Sequence, residues 1–199
     1  MGDAAEDLRI EYATYLSMEA ASEAKHEWFD GRVYAMAGGT LAHSALAAAV
    51  LGELRALLRD RGCVTYSADA RVRVAATGLA TYPDGAVVCG PAERDAADRH
   101  ALINPAIVVE VLSDGTEMYD RGEKFAHYRQ LASLCDYLLV SQHEPRIEIF
   151  SRDGDRWIYA AANAGERVVL SAMEGAIDVD RVYAGIALEP RVTRWSVGT

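Results

Sequence analysis

No two of the three cysteines, Cys63, Cys89 and Cys135, lie close enough in the chain to make a CxxC pair, which argues against a structural zinc site. Isolated and odd in number, they read as small core or near-core residues of a cytoplasmic protein. No uninterrupted apolar run reaches the roughly 18–20 residues that cross a bilayer, so no membrane span is expected. The opening Met1-Gly2-Asp3-Ala4-Ala5-Glu6-Asp7 is acidic and lacks the basic n-region and apolar core of a signal peptide. Basic charge is scarce as well: 20 Lys and Arg against 30 Asp and Glu leave a formal net charge of −10. That balance counts against a protein that coats nucleic acid, because phosphate contacts need cations. It does not exclude a nuclease, whose clustered carboxylates are offset by bound divalent cations. A Walker phosphate loop, a Rossmann glycine fingerprint and a serine nucleophile elbow are all missing.

What is present suits one domain over residues 1–199, with 51% hydrophobic residues to build its core and no repeat or linker to divide it. Residues 1–10 read as a polar, frayed lead and 14–24 as a short helix rich in Ala and Glu. His26-Glu27-Trp28-Phe29 and Arg32-Val33-Tyr34-Ala35-Met36 flank Asp30-Gly31, a strong hairpin signal. Gly38-Gly39 breaks the chain, and Thr40 caps a helix over 41–60 whose apolar stripe is Leu46, Val50, Leu54, Leu57 and Leu58. Gly62 ends it. Strands follow at 63–66 and 70–74, the second alternating Arg71 and Arg73 with apolar residues, so that one of its faces is expected to be wet. Pro91 to Asn104 reads as a charged loop or short helix. Strands at 84–89, 106–112 and 136–141 are expected in one sheet, with a helix over 118–131 packed against it. Residues 146–150 and 156–159 flank Asp153-Gly154 as a second hairpin, 168–170 add an edge strand, and the tail from about 188 is loosely held. The fold class is α/β (α+β): a mixed sheet flanked by helices, with extra β-hairpins.

The chemistry concentrates between Tyr82 and Tyr128. Tyr82-Pro83-Asp84 leads into the apolar run Ala86-Val87-Val88-Cys89. Glu110 interrupts the otherwise apolar Ile107-Val108-Val109-Glu110-Val111-Leu112, and burying a lone carboxylate is too costly to be incidental. Lys124 sits on the helix that follows. Two carboxylates and a lysine so placed are what metal-dependent phosphodiester cleavage needs. Plainer readings stand beside each. Pro83-Asp84-Gly85 also spells a turn, and Lys124, four residues from Asp120, also fits a pair on a solvated helix face.

Three blocks together resemble one family. Lys25-His26-Glu27, Asp30-Gly31, Tyr34-Ala35-Met36-Ala37-Gly38-Gly39 and His43 form the first; Tyr82-Pro83-Asp84 with Val87-Val88-Cys89-Gly90 the second. The third runs from Asn104-Pro105 through Val109-Glu110-Val111-Leu112-Ser113 and Thr116-Glu117 to Tyr119-Asp120-Arg121-Gly122-Glu123-Lys124-Phe125 and Tyr128-Arg129. Over roughly residues 12–185 the chain resembles the Uma2 family of the PD-(D/E)xK nuclease superfamily. The resemblance implies a restriction-endonuclease-like core and a divalent-metal site, with Asp84 and Glu110 as the acidic pair and Glu27 as an additional acid from upstream. The superfamily lysine would stand two residues after Glu110, where this chain has Leu112; the family draws it from the next helix, which points to Lys124. Asp114-Gly115 also replaces the Pro-containing turn common after this strand.

On that reading Mg²⁺ (or Mn²⁺) is held by Asp84, Glu110, Glu27 and the carbonyl of Val111, since Mg²⁺ prefers a few oxygen ligands and keeps several waters. Lys124 orients the attacking water or stabilises developing charge. His43, Asp120 and Tyr128 are candidates to support these groups. DNA is the expected substrate and cleavage within the strand the expected reaction. Two alternatives stay open: a metal-binding or interaction protein of this fold without activity, and a metal hydrolase with a non-nucleic-acid substrate. A basic groove made by Arg71, Arg73, Arg121 and Arg129 would favour DNA. An aromatic patch of Phe150, Trp157 and Tyr159 is the candidate contact of a homodimer.

Overall fold

The computed structural model describes residues 9–36, 38–171 and 173–191. The expected lead over residues 1–8, Ala37 of the first block and the tail beyond residue 191 lie outside the described residues. The first hairpin forms as its Asp-Gly signal demands. Strands β1 (His26–Phe29) and β2 (Arg32–Ala35) pair antiparallel with Phe29 opposite Arg32. Asp30 and Gly31 both take positive φ, 47° and 80°, as a type I′ turn requires. Residues 9 and 10, expected to fray, are instead tied to this turn, where Arg9 pairs with Asp30 and the Ile10 amide donates to the Gly31 carbonyl. Helix α1 (Tyr12–Ala21) precedes the hairpin.

Helix α2 (Leu41–Leu58) starts where Thr40 accepts a hydrogen bond from the His43 amide at 3.1 Å. With Glu53 and Arg55 breaking its apolar run, its 18 residues still have the length and mean hydropathy, 1.4, of a membrane-crossing helix. Its stripe of Leu46, Val50, Leu54 and Leu58 is fully buried in the core. Strands β3 (Cys63–Ser67), β4 (Arg71–Val74), β5 (Leu79–Thr81) and β6 (Gly85–Cys89) follow. Then come β7 (Ala101–Leu102), β8 (Ile107–Leu112), a helical segment over 117–128, β9 (Asp136–Ser141), β10 (Arg146–Asp153) and β11 (Arg156–Asn163).

The large sheet has the order β11-β10-β9-β8-β6-β3, with β8 and β9 parallel and every other pair antiparallel. A smaller sheet runs β2-β1-β5-β4-β7. Both β8 and β9 are buried along their whole length, which is why each reads as a nearly continuous apolar run. Period-two alternation sorts their side chains. Ile107, Val109, Val111, Leu138 and Val140 face α2, whereas Val108, Leu112, Tyr137 and Leu139 face Tyr128 of the 117–128 helix and Val72, Val74 and Leu79 of the small sheet. Glu110 shares the parity of Val108 and Leu112, so it points into the second layer. Val168 falls in a separate two-stranded ribbon, β12 (Arg167–Leu170) with β13 (Gly175–Asp178), rather than on an edge of the main sheet.

Several expectations are corrected. Cys63 and Cys89 stand opposite each other in the β3–β6 ladder and form a disulfide; only Cys135 is a free thiol, raised by burial. The charged 91–104 stretch contributes β7, which pairs with β4. Arg71 does not face water: its guanidinium is buried against Asp98 and donates to the Tyr82 hydroxyl. Arg73 lies over the rings of Tyr12 and Trp28. The second hairpin turns one residue later than its Asp-Gly pair suggests, through Gly154-Asp155, because Asp153 still pairs with Arg156. The described part of the tail is held, with Glu189 bonded to Gln142 and Arg191 to Glu144.

Leu54 has no exposed surface and sits midway along the α2 stripe. Leu54→Ala is expected to destabilise the fold by about 2–5 kcal/mol, read as a lower urea midpoint at unchanged slope.

Candidate active site

Five separate pieces of chain bring ionisable groups into one cleft of about 640 Å³. The β6–β8 register pairs Gly85 with Val109. Continued one residue, it sets Asp84 across from Glu110. The bonds there depart from a backbone ladder: the Val111 amide donates to Asp84 Oδ2 at 2.7 Å, and the Asp84 amide to Glu110 Oε2 at 3.4 Å. Gly85 lets α2 come this close, since a Cβ there would meet the Leu51 side chain at 2.4 Å. That contact also brings in the first turn of α2, where His43 Nε2 lies 3.2 Å from Asp84 Oδ2. The hydrogen bond to Asp84 raises the His43 pKa, burial opposes it, and the Asp84 charge and the Val111 backbone add to the rise.

The 117–128 helix is not a regular α-helix over 118–131. Its middle, Asp120–Lys124, winds as a π-turn, and both end residues are buried. Such turns are rare and concentrate at functional sites. The Tyr137 hydroxyl donates to the Asp120 carbonyl at 3.0 Å. Lys124 Nζ lies 2.9 Å from Glu110 Oε1, 3.2 Å from Glu27 Oε1 and 3.5 Å from Asp120 Oδ1. The solvated-face reading of Lys124 is therefore set aside: its side chain is only 6% exposed. Burial works to lower the Lys124 pKa and is outweighed by Glu110, Glu27 and Asp120, which hold it well above the ordinary range. Burial raises Glu110 well above the usual carboxylate range despite the opposing Lys124 charge, and it raises Asp120 as well. Tyr128 donates to Glu110 Oε1 at 2.9 Å, and Thr81 donates to Glu27.

The structure thus gathers Glu27, His43, Asp84, Glu110, Val111, Asp120, Lys124 and Tyr128, but not in the expected arrangement. Glu27 closes on Lys124 and Thr81 rather than on Asp84. Among the described residues, no three His, Cys, Asp or Glu side chains converge as a ready-made metal cage. The residues that fit a divalent cation in kind are Asp84 and Glu110. Lys124 and Tyr128 occupy Glu110 Oε1, leaving Oε2 with one long bond from the Asp84 amide, and Asp84 Oδ1 has no partner among the described residues. Two hard carboxylate oxygens facing a cleft suit Mg²⁺, which binds through one or two carboxylates together with waters and phosphate oxygens.

The anticipated basic groove does not form. Arg71 is consumed by Asp98, Arg73 by aromatic rings and the Gly78 carbonyl, and Arg121 by Glu117 and Glu148. Of the four, Arg129 keeps an exposed guanidinium without an acidic partner among the described residues. Sequence reasoning missed Thr81, Tyr137 and the cleft walls Tyr34 and Tyr119. The signal for Tyr34 was available: the hairpin register sets it opposite Glu27.

These features define a restriction-endonuclease-like core. The Uma2 family, described as "Putative restriction endonuclease", matches residues 12–179, and the chain belongs to that family. An uncharacterized protein of Synechocystis sp., slr1290, is 37% identical over 175 residues, covering 87% of this chain and 90% of its own. A second from the same organism, sll1609, is 30% identical over 147 residues, covering 73% and 83%. A crystal structure from Anabaena variabilis, titled a "putative nuclease belonging to DUF820", superposes with a TM-score of 0.67. It covers 81% of this chain and 91% of that one at 14% identity, and so bears on the fold alone.

Removing Lys124 leaves Glu27, Glu110 and Asp120 without their shared cation. Lys124→Met is expected to lose about 3–5 kcal/mol in metal-free buffer at neutral pH. The sign of its pH dependence follows from Glu110. A carboxyl whose folded pKa lies above its unfolded value favours folding in the protonated form, so the deficit should shrink as pH falls toward about 4.5 and grow as pH rises. Urea titrations of both proteins across that window measure it.

Proposed function

We propose that this nuclease-family chain is a Mg²⁺- or Mn²⁺-dependent endonuclease that hydrolyses phosphodiester bonds in DNA. The observation that carries the reading is the buried contact of Lys124 with Glu110 at 2.9 Å, beside Asp84, at the floor of an open cleft. Asp84 and Glu110 would hold the cation, with the Val111 carbonyl as a third oxygen. When bound, the cation supplies Lewis acidity toward the phosphate and its attacking water.

The chain's own groups have distinct tasks. Glu27 and Asp120 hold Lys124 in its ammonium form, so that its positive charge stands near the phosphate oxygens as negative charge develops. Tyr128 orients Glu110 through its hydroxyl, leaving the other carboxylate oxygen for the cation. His43 and the Val111 amide fix Asp84 in the same way. The buried position of Glu110 and Lys124 excludes bulk water and strengthens each interaction.

One observation favours a second reading, a metal hydrolase with a non-nucleic-acid substrate: three of the four arginines named for a phosphate groove are committed within the fold. Plasmid nicking at low salt with Mg²⁺ and with Mn²⁺ separates the two. Wild-type protein is expected to nick, Asp84→Asn to lose activity, and Glu110→Gln to lose the rise in melting temperature that Mg²⁺ gives wild type. Metal binding without cleavage of plasmid or single-stranded DNA would reject the DNase.

A DNA substrate goes with a cytoplasmic location, where most thiols stay reduced. The fold is compatible with that, because the Cys63–Cys89 bond joins strands already paired by their ladder. We also propose a homodimer through edge strand β11. Phe150 and Trp157 pack on Phe125, so Ile158 and Tyr159, each about half exposed, are left as the contact. Sedimentation at micromolar concentration is expected to show a species of twice the 21.6 kDa chain mass, lost in Tyr159→Glu; a monomer in wild type would reject the dimer.

A further inference from the structure

We infer that the cleft takes an unpaired nucleotide, so that the preferred substrate is single-stranded or locally melted nucleic acid rather than intact duplex. The inference rests on the nuclease reading for its substrate type, but its grounds are the cleft walls. The β1–β2 register places Tyr34 directly opposite Glu27, and residues opposed in an antiparallel pair project to the same face. Glu27 holds Lys124, so Tyr34 shares the face of the hairpin that meets the Lys124 site. It is 48% exposed, lines the cleft, and makes no ring stack or hydrogen bond with any described residue. Its ring face is therefore open to a ligand in the cleft.

Tyr119 lines the same cleft, with Lys124 Nζ 5.9 Å from its ring centroid. Phe29 and Met36 complete an apolar rim. A nucleobase offers such a rim a π-face whatever its identity, and aromatic platforms are how single strands are held without sequence readout. A duplex offers those rings only stacked bases and a phosphate backbone. Phosphate capture along a duplex needs rows of free cations, and Arg71, Arg73 and Arg121 are committed elsewhere. The carboxylates that would hold the cation facing the scissile phosphate lie deep, Glu110 at 4% exposure, where a splayed single strand reaches more readily than a rigid helix.

The test is fluorescence anisotropy with a labelled ten-nucleotide single strand and its duplex, at low salt and with chelator so that nothing is cleaved. Wild-type protein should bind the single strand at least tenfold more tightly than the duplex. Tyr34→Ala should weaken single-strand binding about tenfold and leave duplex binding unchanged, whereas Tyr34→Phe, which keeps the ring, should match wild type. Thermal melts check that both variants fold. Equal binding of the two forms, no measurable binding of either, or indifference to Tyr34→Ala would overturn the inference. Cleavage assays with Mg²⁺ keep the two readings apart. Duplex cut as fast as single strand retires this inference and leaves the nuclease standing. Tyr34-dependent single-strand binding without cleavage does the reverse.

Discussion

The ammonium of Lys124, buried among Glu110, Glu27 and Asp120, is the interaction on which the site depends. A charge removed from water is costly unless paired and hydrogen-bonded. This one is satisfied by three carboxylates from three places: central strand β8, the β1 strand of the hairpin, and the first residue of the π-turn. Each of those elements is therefore held in register with the others by one side chain. The π-turn carries both Asp120 and Lys124 on its buried side, where they meet Glu110. The same atoms that stabilise the junction of sheet, hairpin and helix are those best placed for chemistry, and substitution at Lys124 reports on both at once.

The charge count around that lysine is unbalanced. Glu27, Asp84, Glu110 and Asp120 face Lys124 and His43, and burial already lifts Glu110 and Asp120 toward protonation. Such a cluster can relieve itself by taking protons or by taking a cation. The raised Glu110 and His43 are the proton solution; a divalent ion at Asp84 and Glu110 is the other. Perturbed carboxylates beside a buried lysine in a cleft are also what a catalytic site needs.

Much of this was legible in the sequence because period and breakage of period are local signals. The apolar run of β8 announces a strand buried on both faces, and Glu110 within it announces a buried charge that needs a partner. Asp30-Gly31 fixes the first hairpin, and hence that Glu27 and Tyr34 are neighbours. What stayed hidden depends on contacts between segments far apart in the chain. Nothing near Arg71 in sequence says that Asp98, 27 residues on, will neutralise it. Cys63 and Cys89 are separated by 26 residues and meet only through the β3–β6 register. The burial of the helix face is likewise a tertiary fact: Asp120 and Lys124 at i,i+4 look the same on a wet helix face as against a buried glutamate.

The acidic net charge and a nucleic-acid substrate are less opposed than the totals suggest. Beyond a Debye length of about 8 Å at physiological salt, exposed charges scarcely act on a ligand. The excess carboxylates on the outer surface therefore affect mainly the rate of encounter. What a strand bound as proposed would feel is the cleft itself, where the lysine is fixed, two carboxylate oxygens are left for a cation, and the walls are aromatic. With Arg71, Arg73 and Arg121 spent on the fold, affinity there would come mainly from stacking, with any bound cation adding to it, rather than from a field of free cations. A protein built this way would bind weakly to arbitrary duplex, and its discrimination would follow from which phosphate can be delivered to the floor of the cleft.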